Sequence, residues 1–256
     1  MFAALHPRKA VLSDINDDLI STLVVMRDAP DELQRRVWRW SNSRDCYERV
    51  RRSRPQSALG RAARFLFLNR TCWGGLYRSN RLGEFNVPFG NSKRVICRRD
   101  QLTRFSTLLC TAELQTSDFE HQIGAARAGD VVYADPPYTT KGVNNGFIRY
   151  NEKLFSWDDQ VRLARACKRA ARRGVFVVVS SLWHEALLEL YRGWWAAPLE
   201  RNVCISRSVA ARGLTIEAII FSRRPFMFAE TPSRIMAHKS TNMLWAQRKQ
   251  IAVDRG

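Results

Sequence analysis

The sequence predicts an α/β fold built on a parallel sheet with right-handed crossovers. Three observations predict it. Val175-Phe176-Val177-Val178-Val179 is an unbroken, mostly β-branched run, the pattern of a strand covered on both faces. Asp130–Ala134 is a second apolar run. Between them lies a helical stretch, so strand, helix and strand alternate as in crossover units.

Taken in order, Ala10-Val11-Leu12-Ser13 reads as a short buried strand ending at Asp14, followed by a helix over 17–27. Helices are expected over 31–51 and 56–69, the second with Ala62, Phe65, Leu66 and Leu68 on its apolar faces. Cys72–Arg78 and Gly83–Gly90 are rich in glycine and aromatics and break regular structure. After the Asp130–Ala134 strand, a helix spans Trp157 to Arg173. Ser156 and Asp159 have the spacing of a capping box, and Gly174 is the natural stop. Val161, Ala164, Cys167 and Ala171 share one of its faces. A helix near 183–192 and strands near 203–207 and 215–221 complete the sheet. Residues 224–256 lack periodicity and read as a basic, partly disordered tail. No internal repeat is present.

Composition narrows the function. Apolar residues make up 45% of the 256 residues and charged residues 26%, a globular balance. No stretch reaches the roughly 20 apolar residues of a membrane helix, and no secretion signal is evident at the N-terminus. The net charge is +18 and the pI is about 10.5. Such a chain attracts polyanions, nucleic acid before membrane, because no long amphipathic helix joins a basic face to an aromatic one. Residues 31–118 carry 18 basic and 8 acidic side chains and are the electrostatic centre. The six cysteines show no CxxC or CxxH spacing, so no metal site is expected. They read as reduced thiols of a cytoplasmic protein.

Asp135-Pro136-Pro137-Tyr138 is the sharpest motif. Two prolines fix φ twice and remove two donors, which makes a rigid turn. Rigidity alone does not call for the flanking acid and aromatic. Nor does it call for a position at the end of a buried strand, where open α/β sheets bind ligands.

Four segments in order resemble one family: Val11–Ile20, Phe67–Asn80, the octapeptide Gly83-Glu84-Phe85-Asn86-Val87-Pro88-Phe89-Gly90, and Val132–Tyr138. Together they resemble the Dam-like, class alpha (D12) DNA adenine-N6 methyltransferases. The resemblance implies a Rossmann-like methyltransferase sheet using S-adenosyl-L-methionine (AdoMet). Residues 1–30 and 119–223 would form the catalytic domain, and 31–118 an inserted, mainly helical target-recognition domain. It implies that the Asp135 carboxylate and the Pro136 carbonyl hold the adenine amine toward sp³ geometry, with Pro137 completing the turn. Tyr138 would stack on a base flipped out of the duplex.

By the same resemblance Asp14 binds the AdoMet ribose. Read from its position alone, the alternative is a helix N-cap for 17–27, and the two roles can coexist. Arg78 falls where the family reads a base edge, and Asn91, Lys93 and Arg94 follow the octapeptide as DNA contacts. Asn91-Ser92 replaces the Arg-Tyr of GATC-methylating members, and Gly74 replaces an asparagine, so GATC specificity is not implied. Arg51-Arg52-Ser53-Arg54 reads as a solvated helix end. Ile205–Ser208 also matches a family segment.

The family's F-x-G-x-G loop and first strand are not found in these residues, and Met1–Leu5 resembles the helix just after that loop. The expectation is weak AdoMet binding by residues 1–256. The alternative function is then a catalytically weak DNA-binding remnant. The implied partners are double-stranded DNA and a cognate restriction endonuclease, in a bacterial or phage-encoded, nucleoid-associated protein.

Overall fold

The computed structural model describes residues 1–76, 78, 84–90, 99–139, 155–202, 214–225 and 233–234. The chain divides into two compact units, Met1–Phe119 and Glu120–Gly256.

In the first unit, α1 (Phe2–Leu5) precedes strand β1 (Ala10–Asp14), and helices α2 (Asp17–Asp28), α3 (Pro30–Trp38), α4 (Arg44–Arg52) and α5 (Ala58–Thr71) follow. After α6 (Arg99–Leu109), strand β2 (Ala112–Thr116) pairs parallel to β1, from Ala10 opposite Ala112 to Asp14 opposite Thr116. The single helix expected over 31–51 is two. Ser43 starts the second, its Oγ accepting the Cys46 N–H at 3.3 Å. Ser41-Asn42-Ser43 interrupts the helix because such side chains bond the nearby backbone and favour caps over helix interiors. Helix α3 opens with Pro30, Asp31 and Glu32 and closes with Arg35 and Arg36, charges placed to suit the helix dipole.

The core of this unit joins Met26 of α2, Leu33 and Val37 of α3, Ala62 and Ala63 of α5, and Leu102 and Leu109 of α6. Each fully buried aliphatic contributes about 1.5–3 kcal/mol. Helix α5 buries Ala62 and Leu68 as expected, together with Ala63 and Phe67, while Phe65 and Leu66 are only half-buried. Phe67 and Leu68 enter a second cluster with Tyr47, Val50, Cys72, Phe85 and Val87.

The second unit begins within α7 (Phe119–Ala125) and continues through β3 (Val131–Ala134), α8 (Trp157–Arg172), β4 (Phe176–Leu182), α9 (Glu185–Leu190), β5 (Trp195–Asn202), β6 (Leu214–Phe221) and β7 (Ser233–Arg234). Its sheet runs β3-β4-β6-β5-β7. Strands β3 and β4 are parallel as expected, but β6 lies antiparallel between β4 and β5. The sheet is therefore mixed, a correction to the fully parallel reading: β6 returns from β5 and pairs directly beside it. Strand β5 was not expected, because Pro198 sits inside it and proline demotes a strand pattern. The strand expected near 203–207 lies outside the described residues, as does most of 224–256, of which Ser233–Arg234 pairs with β5.

Helix α8 has both halves of the expected capping box. Ser156 Oγ accepts the Asp159 N–H at 3.1 Å, and Asp159 Oδ2 accepts the Ser156 N–H at 2.9 Å. Gly174 follows at φ 93, a left-handed stop that glycine adopts without strain. The buried face of α8 is Leu163, Ala164, Ala166, Cys167 and Ala170, so Val161 and Ala171 sit at its margin. Arg173 donates to the carbonyls of Ile123, Gly124 and Ala126 at 3.0–3.1 Å and satisfies the C-terminal end of α7. Glu120 of α7 pairs with Arg162 at 3.5 Å and also with Arg169.

Candidate active site

Asp135-Pro136-Pro137-Tyr138 leaves the C-terminal end of β3. The sheet register decides which side chains share its face. Tyr133 lies opposite Val178, Ser180 opposite Ile219, and Glu217 opposite both Leu182 and Leu199. Side chains alternate along each strand, so Tyr133, Ser180, Ile219, Glu217 and Leu199 project from one face. The opposite face carries Val177, Val179, Ser181, Ala218 and Ile220, all fully buried. Helix α8 packs against β4. One face of the sheet is thus closed core, and the other opens into a recess of about 410 Å³.

That recess is lined by Tyr133, Asp135 and Tyr138 from β3 and its turn, and by Ser180 of β4. Leu199 and Glu200 of β5, with Glu217 and Ile219 of β6, complete the wall. Its volume lies in the roughly 300–1,000 Å³ range of small-ligand sites. Asp135 is exposed and Tyr138 half-buried. Ser180 Oγ donates to Asp135 Oδ1 at 2.7 Å and lies 2.9 Å from the Tyr133 hydroxyl. Glu217 places a second carboxylate in the same recess while only 6% exposed.

Asp135 and Tyr138, singled out by sequence, therefore share one cavity. Tyr133, Ser180 and Glu217 were missed. Each left a faint signal: a tyrosine two residues before the acid, two serines ending an apolar run, and one glutamate inside an apolar strand.

Asp14 belongs to the first unit, exposed at the C-terminal end of β1. Its Oδ1 accepts the Asn16 N–H at 2.8 Å. It does not cap α2. Asn16 does, its Oδ1 accepting the Leu19 N–H at 3.2 Å, because the helix begins three residues after Asp14.

The octapeptide, described from Glu84 onward, is pinned in the first unit. Trp73 N–H donates to Pro88 O at 2.9 Å and Gly90 N–H to Thr71 O at 2.8 Å. Tyr47, fully buried on α4, donates its hydroxyl to Val87 O at 2.7 Å. Within this frame Asn86 holds Arg78. Arg78 Nε donates to Asn86 Oδ1 at 2.8 Å, and the Asn86 N–H donates to Arg78 O at 3.0 Å. The expected DNA contacts Asn91, Lys93 and Arg94 lie outside the described residues. The arginines of 51–54 are partly engaged: Arg51 pairs with Glu48 at 2.7 Å and Arg54 with Glu84 at 2.6 Å.

Fold and site together define a class: a mixed α/β protein with an acid, two prolines and an aromatic at a strand end, facing an open recess. Comparison with known proteins narrows it. The model of the D12 class N6 adenine-specific DNA methyltransferase family matches residues 1–202, and the chain belongs to that family. It is 32% identical over 231 residues to the type II methyltransferase M1.LlaDCHI of Lactococcus lactis subsp. cremoris, spanning 86% of this chain and 81% of that protein. It is 31% identical over 216 residues to the DNA adenine methylase of Vibrio cholerae, spanning 82% and 78%. To the DNA adenine methylase of Escherichia coli K12 it is 30% identical over 211 residues, spanning 80% and 74%. The mixed α/β architecture is consistent with a methyltransferase fold. Among the described residues no helix is long and apolar enough to cross a membrane.

Proposed function

We propose that this chain transfers the methyl group of AdoMet to N6 of an adenine flipped out of duplex DNA. The observation that carries the reading is the shared recess of Asp135 and Tyr138 at the end of β3, with Asp135 anchored by a buried serine. An exocyclic amine is a poor nucleophile because its lone pair is delocalised into the ring. Asp135 accepts one amine hydrogen and the Pro136 carbonyl the other, which holds the nitrogen toward sp³ geometry. Pro137 keeps the turn rigid. Tyr138 stacks on the base, a contact worth about 1–3 kcal/mol that offsets part of the unstacking cost. AdoMet, when bound, supplies an activated sulfonium methyl, so most of the protein's contribution is positioning.

Asp14 fits the ribose of the cofactor. It is an exposed acid at the end of a parallel strand, with one oxygen fixed by the Asn16 N–H. Residues 31–118 are the DNA-reading segment, inserted between residues 1–30 and 119–223 of the catalytic domain. Their net charge of +10 supports this, as does the Asn86 clamp on Arg78. Arg78 reads a base edge, and Asn91, Lys93 and Arg94 contact DNA. The similarity to a type II methyltransferase supports pairing with a restriction endonuclease of the same site.

The test is incorporation of tritiated methyl from AdoMet into unmethylated DNA. The expected result is incorporation by the wild-type chain and loss in Asp135→Ala. DNA retention without incorporation by wild type would refute the catalytic reading and select the DNA-binding alternative.

A further inference from the structure

Asp135 is exposed, yet one of its oxygens is tied to the sheet interior. Ser180 is 3% exposed in the middle of the sheet, and its Oγ lies 2.7 Å from Asp135 Oδ1. The same Oγ lies 2.9 Å from the Tyr133 hydroxyl. A carboxylate only accepts, so Ser180 must donate to it. The serine oxygen is then left to accept from Tyr133. Every proton in the series is thereby directed, from Tyr133 through Ser180 to Asp135. The register explains the reach. Tyr133 is opposite Val178, so Ser180 is its diagonal neighbour, a span that a long aromatic side chain covers. Hydrogen bonds in series polarise one another, and a charged acceptor strengthens the last of them.

We propose that Ser180, itself fixed by Tyr133, is a positioning residue for methyl transfer. It occupies Oδ1 of Asp135 and locks the rotamer, leaving Oδ2 as the acceptor for the adenine amine. Without the serine, an exposed aspartate on a turn regains its rotamers, and the amine loses its fixed partner. This inference rests on the methyl-transfer reading of the site.

Steady-state kinetics on the full chain test it. Ser180→Ala is expected to lower kcat about ten- to thirtyfold, with the KM for DNA within about twofold of wild type. Ser180→Thr keeps the hydroxyl and restores most of the rate. Tyr133→Phe lowers kcat about threefold alone and adds nothing in the Ser180→Ala background, because the series is linear. A Ser180→Ala kcat within twofold of wild type overturns the inference, and so does a Thr variant as impaired as the Ala variant. Asp135→Ala checks the underlying reading separately. Activity that survives it defeats the role of the Asp-Pro-Pro-Tyr turn, whatever the serine variants do. A crystal structure of Ser180→Ala decides the relay without turnover. A displaced or mixed Asp135 rotamer supports it, and an unmoved carboxylate overturns it.

Discussion

Gly90 closes the octapeptide against the end of α5, and replacing it with alanine tests how that segment is held. A Cβ at this position would lie 2.4 Å from the Cys72 carbonyl oxygen, 2.6 Å from its carbon and 2.8 Å from Trp73 N. All three are backbone atoms and cannot swing aside. Ordinary contact begins at 3.4 Å, so the segment must retreat by about 1 Å. That retreat opens the Gly90 N–H···O Thr71 and Trp73 N–H···O Pro88 bonds, now 2.8 and 2.9 Å. Two backbone bonds at about 0.5–1.5 kcal/mol each and overpacking at about 1–3 kcal/mol give a loss of about 2–6 kcal/mol. The melting temperature should fall by about 5–15 °C, measured by calorimetry with urea unfolding as a second probe. Gly124→Ala in α7 is the matched control, since nothing lies within 4 Å of its Cβ. It should be neutral or stabilising by up to about 1 kcal/mol. A Gly90→Ala protein within about 0.5 kcal/mol of wild type would refute the packing argument.

Three other outcomes are expected. Asn86→Ala removes the 2.8 Å anchor of Arg78. Affinity for cognate duplex DNA should fall about tenfold in a fluorescence-anisotropy titration, while the salt slope stays unchanged because no phosphate contact is lost; a shallower slope would contradict this. For Asp159, burial raises the carboxyl pKa, but hydrogen bonds from Ser156 and Arg162 outweigh burial and hold it below its usual value. A depressed folded pKa means the capping box stabilises α8 above the unfolded pKa of about 3.9 and loses that effect as pH falls through the folded value. Asp159→Asn should therefore flatten the pH dependence of stability in acid, and an unchanged acid limb would count against it. Among the described cysteines, burial pushes the Cys167 thiol up to about 12 and Cys72 to about 11, whereas Cys110 is exposed. Iodoacetamide at pH 8 should label Cys110 in the native protein and spare Cys72 and Cys167 until unfolding, as peptide mass spectrometry will report.

Local signals were legible wherever one residue type has one physical use. Ser156 with Asp159 marked a helix start, Gly174 its stop, and Val175–Val179 a covered strand. The Asp-Pro-Pro-Tyr turn was legible because prolines between an acid and an aromatic exceed what a turn requires. What escaped depends on which strands become neighbours. The place of β6 between β4 and β5 is set by pairing across the sheet, and no periodicity in Leu214–Phe221 encodes it. Ser180 and Glu217 enter the recess through that same register, so their part in the site could not be read before the strand order was known. Strand β5 was hidden by Pro198, and the break before α4 by the amphipathic pattern that continues across Ser41–Ser43.

The central claim is that Asp135 holds an adenine amine for methylation. Duplex DNA from a methylation-free source, incubated with the protein and AdoMet, digested to nucleosides and resolved by mass spectrometry, tests it most directly. N6-methyldeoxyadenosine as the sole new nucleoside, abolished by Asp135→Ala, is the predicted result. A methylated cytosine, or N6-methyldeoxyadenosine formed equally by the Asp135→Ala protein, would contradict it.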